Sequence, residues 1–361
     1  MNVPYLDLAV KDEVERQKYL SLFDDFLQKG RMVGGDALTE YENSLKEYFN
    51  TNNIQLVASG TSALYLAGRV LDISSGDEVI IPSLSFYASA NAYAELGASC
   101  VFADIKNDLT ICPHSIEKLI TNKTKAIVAV HFAGTACDMG SIMSLANKHN
   151  LKVIEDTSQA FGAKYNDQYL GTIGDIGCFS TNCMKLLGAM GDSGFITTKD
   201  QTLNSKLSPL IYNGMNEEKK CCKISINHRI DPLQCLVLKH RLRNINKVLL
   251  SREEIYLKYQ KNLKGVDFVP KKNGDVHYTF TIFTKDRNKF QEYLITKGIE
   301  TKIEHSPLIS QLEIYKDSKN DSSNAETIID QVINIPCHEN MSSTQVQYVI
   351  DIINNYSEFQ Q

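Results

Sequence analysis

The strongest constraint in this chain is an alternation. Short apolar runs are separated, again and again, by stretches whose apolar residues fall at helical spacing. Ile54–Ala58, Glu78–Pro82, Ser99–Asp104, Ala126–His131 and Val153–Asp156 read as strands. Helices are expected between them, from Ser59-Gly60-Thr61-Ser62 through Leu71, over Ser85–Leu96, around Ile116–Leu119 and over Ser141–His149. Strands linked by helices of this length run parallel and are covered on both faces. An α/β fold class follows, with a mostly parallel central sheet between helices in a large domain over residues 1–240. Two helices precede the first strand. Glu13–Leu27 stops at Lys29-Gly30, and Leu38–Phe49 carries Leu38, Tyr41, Leu45 and Tyr48 on one face.

After about residue 228 the texture changes. Pro232–Tyr259 reads as one long helical stretch whose Lys239, Arg241, Arg243, Lys247 and Arg252 form a solvated face. His277–Thr284 alternates like a strand, Lys271–Asp275 is a turn, and Arg287–Lys297 and Gln345–Ile353 read as helices. A smaller C-terminal α+β domain is expected over residues 241–361.

Composition then removes whole classes of function. The 361 residues carry 38 Lys+Arg against 43 Asp+Glu, a net charge of −5, with no dense basic run. No nucleic-acid partner is expected. No apolar run approaches the ~20 residues of a membrane span, and the N-terminus lacks the basic start and apolar core of a secretory signal. None of the nine cysteines falls in a Cys-x-x-Cys pair, and the eight histidines show no ligand spacing. We therefore expect a reduced, cytoplasmic protein whose cysteines are mostly small core residues, and no metal.

Four features carry chemistry. Ser59-Gly60-Thr61-Ser62 sits where a strand enters a helix, a place where free N–H groups and the helix dipole suit a phosphate; Ser59 could equally be a plain helix cap. Glu155-Asp156 ends a buried apolar strand, on the edge where parallel sheets bind ligands, and a carboxylate there can keep a ring nitrogen protonated. Its bland alternative is a cap for the segment after Thr157. Lys185 lies among Phe179, Cys183, Met184, Leu186 and Leu187, with Ser180 five residues earlier and a glycine-rich tail after it. Burial would lower its pKa and free its amine for imine chemistry, although a snorkelling lysine reads similarly. Phe86, just after Pro82-Ser83-Leu84-Ser85, could stack on a planar ring or simply belong to the core. Phosphate cradle, stacking aromatic, ring-nitrogen carboxylate and amine, in this chain order, are what a pyridoxal phosphate site requires.

The chain resembles the DegT/DnrJ/EryC1/StrS family of pyridoxal-phosphate-dependent nucleotide-sugar aminotransferases, of the aspartate aminotransferase fold type. The resemblance runs nearly end to end. Ser59–Leu64, Gly76–Ser83, Glu155–Ala163, Gly174-Asp175, Phe179-Ser180, Lys185 and Asn227–Asp231 carry it. It implies that Lys185 forms the imine with the cofactor and later shuttles protons, that Asp156 pairs with the pyridinium nitrogen, and that Gln159 bonds near the ring hydroxyl. Phe86 would stack on the ring. Gly60, Thr61 and Ser180 would hold the phosphate, joined by Asn227 from a second subunit, so that a homodimer shares its active sites. His305 and Arg229 would face the substrate. The family's usual Phe-Ser-Phe-x-Pro-x-Lys reads Phe179-Ser-Thr-Asn-Cys-Met-Lys185 here, with the lysine spacing intact.

The implied reaction moves an amino group from L-glutamate to a keto group of a nucleotide-linked sugar, in amino-sugar or O-antigen biosynthesis. His131-Phe-Ala-Gly134 resembles members acting at C4, which points to a 4-keto-6-deoxyhexose on dTDP or UDP. The opening Val3-Pro-Tyr-Leu-Asp-Leu8 resembles members acting on 3-keto sugars. A sugar dehydratase is disfavoured because such relatives carry histidine in place of Lys185. A non-catalytic, cofactor-binding regulator would need a DNA-binding module, and the sequence offers none.

Overall fold

A computed structural model describes residues 1–356. A seven-stranded sheet forms its centre. Its strands are β1 (Ile54–Val57), β2 (Glu78–Pro82), β3 (Ser99–Ala103), β4 (Thr124–Val130), β5 (Lys152–Asp156), β8 (Ile176–Ser180) and β9 (Gly194–Thr198), while β6 (Lys164–Tyr165) and β7 (Gln168–Tyr169) form a separate hairpin. The spatial order is β1-β9-β8-β5-β4-β2-β3. β2, β3, β4, β5 and β8 are mutually parallel, and β9 runs antiparallel to both β8 and β1. Ile80, Val128, Ile154 and Phe179 are fully buried, as strands covered on both faces require. All five strands expected of this sheet are present, and the expected strand at His277–Thr284 is seen over Phe280–Phe283 in a separate sheet. β8 and β9 were not expected, because their five residues mix glycine, serine and threonine with a few apolar side chains.

Two helix expectations need correction. Ser85–Leu96 is helical only over Ala88–Ala94; residues 83–87 are loop, and this leaves Ser85 and Phe86 at the carboxyl edge of the sheet. Pro232–Tyr259 is two helices, Pro232–Leu242 and Ile245–Asn262, broken where Asn244 leaves helical geometry at φ −110°, ψ 5°. Nor is its row of cations solvated throughout: Arg243 and Lys247 are exposed, but Arg241 and Arg252 are not. Arg252 is 3% exposed, pairs with Glu339 at 2.8 Å and donates to the carbonyls of Tyr278 and Cys337. Arg241 donates to the Gly188 carbonyl and to Tyr19 Oη. Spacing alone places a cation on a helix face; what covers that face comes from elsewhere in the chain.

A second core surrounds the antiparallel sheet β10 (Asp267–Phe268), β11 (Phe280–Phe283) and β12 (Val332–Ile335). Tyr259, Phe280, Phe290, Ile333 and Val349 are buried there, each worth about 1.5–3 kcal/mol of hydrophobic stabilisation. Val3 joins the same cluster, bridging to Ile299, so the first residues of the chain pack with its last third. Among the described residues, no helix is long and apolar enough to cross a membrane.

Candidate active site

The carboxyl edge of the sheet opens into a cavity of about 280 Å³. Strand register brings its parts together. Gly194 of β9 pairs with Val57 on one side and Ser180 on the other, so the ends of β1 and β8 lie level. The helix Gly60–Val70 then starts directly against Ser180. A Cβ built on Gly60 would stand 2.7 Å from the Ser180 Cβ, so only glycine permits this approach. Ser59 is the N-cap: its Oγ accepts from the Ser62 N–H at 3.0 Å and its carbonyl from Ala63. The Gly60 and Thr61 N–H groups at the head of this first turn are those that helix geometry leaves for an anion. The capping and phosphate readings of this segment are therefore compatible.

Asp156 ends β5, level with Val130 of β4. Its carboxylate is 5% exposed. Oδ2 accepts from Ser89 Oγ at 2.8 Å, which is linked in turn to Ser85 Oγ, and Oδ1 accepts from the Ser158 N–H. No lysine or arginine among the described residues forms an ion pair with it. A buried carboxylate held this way suits a cationic partner supplied by a ligand. Its neighbour Glu155 serves the framework instead. Fully buried, it accepts from the N–H groups of Gly171, Ile173 and Gly174 and meets His131 Nε2 at 3.1 Å. The other ring nitrogen, Nδ1, accepts from the Cys137 N–H, so His131 is the neutral tautomer donating to Glu155.

Lys185 lies in the irregular loop between β8 and β9, its side chain half-buried and its Nζ 5.2 Å from the centre of the Tyr278 ring. Burial lowers its pKa from the usual lysine value, and the charges of Glu304 and Asp156 oppose that shift. Lysine is thereby drawn toward the free amine without losing its carboxylate neighbours. Gln159 accepts from the Ala133 N–H at 2.6 Å, and its Nε2 lies 3.4 Å from His305 Nε2. Burial pulls the His305 imidazole down to about 4; Glu304 opposes, while Lys185 and Lys302 assist. A neutral His305 can accept from the Gln159 amide. Phe86, 45% exposed, lies at the rim, edge-on to His305.

Gly60, Thr61, Phe86, Asp156, Gln159, Ser180, Lys185 and His305 thus line one cavity. Asn227 and Arg229 do not. Asn227 is exposed and accepts from Arg229, whose guanidinium stacks 3.7 Å from the Tyr212 ring. Sequence reasoning missed Ser89, Tyr278, Lys302 and Glu304, which also line the cavity. Glu304 could have been noticed as the neighbour of His305; Tyr278 carries no local signal.

The residues present fit pyridoxal 5′-phosphate: a glycine-walled helix start for the phosphate, a buried carboxylate without an ion-pair partner for a ring cation, and an amine of lowered pKa in the same cavity. Fold and site together define an aminotransferase. The chain belongs to the DegT/DnrJ/EryC1/StrS aminotransferase family, whose model matches residues 13–354. It is 34% identical over 360 residues to the dTDP-3-amino-3,6-dideoxy-alpha-D-galactopyranose transaminase of Aneurinibacillus thermoaerophilus, covering 98% of this chain and 99% of that one. It is 36% identical over 359 residues to the UDP-N-acetyl-3-dehydro-alpha-D-glucosamine 3-aminotransferase of Acidithiobacillus ferrooxidans, with 97% of each covered. Among solved structures, S. venezuelae DesV in complex with a ketimine intermediate superposes with a TM-score of 0.94 at 30% identity, over 99% of both chains.

Proposed function

We propose that this protein is a pyridoxal-phosphate-dependent aminotransferase that carries an amino group from L-glutamate to the keto carbon of a nucleotide-linked deoxyhexose. One observation carries the reading: the Lys185 amine, the Asp156 carboxylate and the Gly60 helix start converge on a single cavity. Bound there, the cofactor supplies an aldehyde to capture amines and a ring that withdraws electrons. Gly60, Thr61 and Ser180 hold its phosphate. Asp156, fixed by Ser89 and Ser158, keeps positive charge on the ring nitrogen, and Gln159 orients the ring. Lys185 would be the nucleophilic amine and, once displaced, the group whose Nζ takes the proton from the donor's α-carbon and passes it on within the first half-reaction, then delivers a proton to the acceptor's former carbonyl carbon in the second. Phe86, at the rim, would stack on one face of the ring.

A homodimer completes the site in this reading. Its support is the placement of Asn227 and Arg229 outside their own cavity, on a segment whose Ile224 and Ile226 are 91% and 65% exposed. Residues 1–240 would bind the cofactor and 241–361 the substrate side, with the last five lying outside the described residues. The nine cysteines, all unpaired among these residues, suit a cytoplasmic location. For the site of amination, the two curated relatives are named for 3-amino and 3-dehydro sugars, which supports C3. The His131–Gly134 segment supports C4. Incubation with glutamate and a panel of 3-keto and 4-keto nucleotide sugars, read by mass and NMR, tests the reading. Amino sugar equal to the 2-oxoglutarate released is expected. No 2-oxoglutarate with any acceptor would sink it.

A further inference from the structure

Among the described residues, Glu304 is the one acid of the cavity with a buried oxygen left over. The residue is 6% exposed, and Oε1 pairs with Lys302 Nζ at 2.8 Å. Oε2 is buried without a partner, in a side chain that lines the cavity beside Lys185 and His305. Leaving a buried charged oxygen unbonded costs stability, so such an atom in a binding cavity marks a place for a ligand donor. The donor's type can be narrowed. A carboxylate oxygen only accepts, and its ligand must offer O–H or N–H. Glutamate offers a single donor group, its amine, which the reaction itself consumes, and its two carboxylates would be repelled. A keto hexose offers a hydroxyl beside the carbonyl, on C3 of a 4-keto sugar and on C2 and C4 of a 3-keto sugar.

We propose that Glu304 is a specificity residue that accepts a hydrogen bond from the sugar hydroxyl neighbouring the keto carbon, so that sugars lacking that hydroxyl are rejected. Lys302 holds the carboxylate in place from the solvent side, and the adjacent His305 fills the remaining wall. This inference rests on the aminotransferase reading above, and its test separates the two.

Holoenzyme and its Glu304→Gln variant are compared in two half-reactions. In the first, L-glutamate alone is added and the cofactor's absorbance change is followed. In the second, dTDP-4-keto-6-deoxyglucose and dTDP-3-keto-6-deoxygalactose are each supplied beside an analogue lacking the neighbouring hydroxyl. The glutamate half-reaction should still run in the variant, altered only a few-fold because the Glu304 charge also acts on Lys185, and this shows that the variant folds and holds cofactor. kcat/KM for the hydroxylated sugar should fall about 10- to 100-fold, while the deoxy analogue, already poor with wild type, should lose almost nothing further. Glu304→Asp, whose carboxylate is withdrawn by one methylene, should lie between. Equal losses in both half-reactions, or equal losses for sugar and deoxy analogue, overturn the proposal. Wild type that converts its cofactor with glutamate yet aminates neither sugar also overturns it. Wild type that does not react with glutamate fails the functional reading itself, before any variant is compared.

Discussion

Replacing Gly60 by alanine tests the phosphate cradle most directly. Gly60 does not occupy the positive-φ region, so alanine suits its backbone, and such a change ordinarily stabilises by about 0.4–1 kcal/mol. The obstacle is contact. The new Cβ would stand 2.7 Å from Ser180 Cβ and 3.1 Å from its Cα, where ordinary contact begins at 3.4 Å. The helix start must therefore retreat by about 0.7 Å, the difference between 3.4 and 2.7 Å. A shift of that size stretches an N–H···O bond from ~2.9 to ~3.6 Å, beyond hydrogen-bonding range. Losing two bonds to an anion, at ~1.5–3 kcal/mol each, weakens phosphate binding by roughly 10²- to 10⁴-fold. The assay titrates apo-protein with pyridoxal 5′-phosphate and, separately, with pyridoxal. Only the phosphorylated form should lose affinity, with the unfolding midpoint little changed. Equal weakening of both ligands, or of neither, would refute a cradle at the Gly60 helix start.

Three other outcomes are expected. Glu155→Gln places an amide NH₂ against backbone donors whichever way it is turned, since Oε1 accepts from Ile173 and Gly174 and Oε2 from Gly171 and His131; a loss of about 2–5 kcal/mol should be seen in denaturant unfolding. Apo-protein should lose stability as pH falls. His305 is neutral when folded and titrates near 4, whereas the unfolded chain takes up its proton near 6.5, so each pH step between those values favours unfolding, by up to about 3 kcal/mol in all. His305→Gln should flatten that part of the stability profile, and a variant profile parallel to wild type would contradict the assignment. Arg252→Met strands the Tyr278 and Cys337 carbonyls and the Glu339 carboxylate, so thermal unfolding should drop; because Tyr278 lies under Lys185, cofactor capture should slow as well.

Much of this protein was legible along the chain because its information is local. Five sheet strands are short apolar runs between helices, and the periodicities of 2.0 and 3.6 residues mark them before any packing is known. Helix starts were equally visible, since Ser59 caps with its own side chain. Of the chemical residues, Asp156 and Ser180 end strands and Gly60 and Lys185 follow strand ends by three and five residues, so a parallel sheet gathers them on one edge. Tertiary structure decided the rest. Arg252 sits on a helix face like any solvated cation, and only Glu339 and the Cys337 carbonyl, 85 residues and more away, make it a buried pillar. Glu155 and Asp156 are adjacent acids of one strand, yet alternation sends one to the loop at 171–174 and the other to the cavity. Tyr278 and Glu304 reach Lys185 from the far third of the chain, a meeting that no spacing along the sequence encodes.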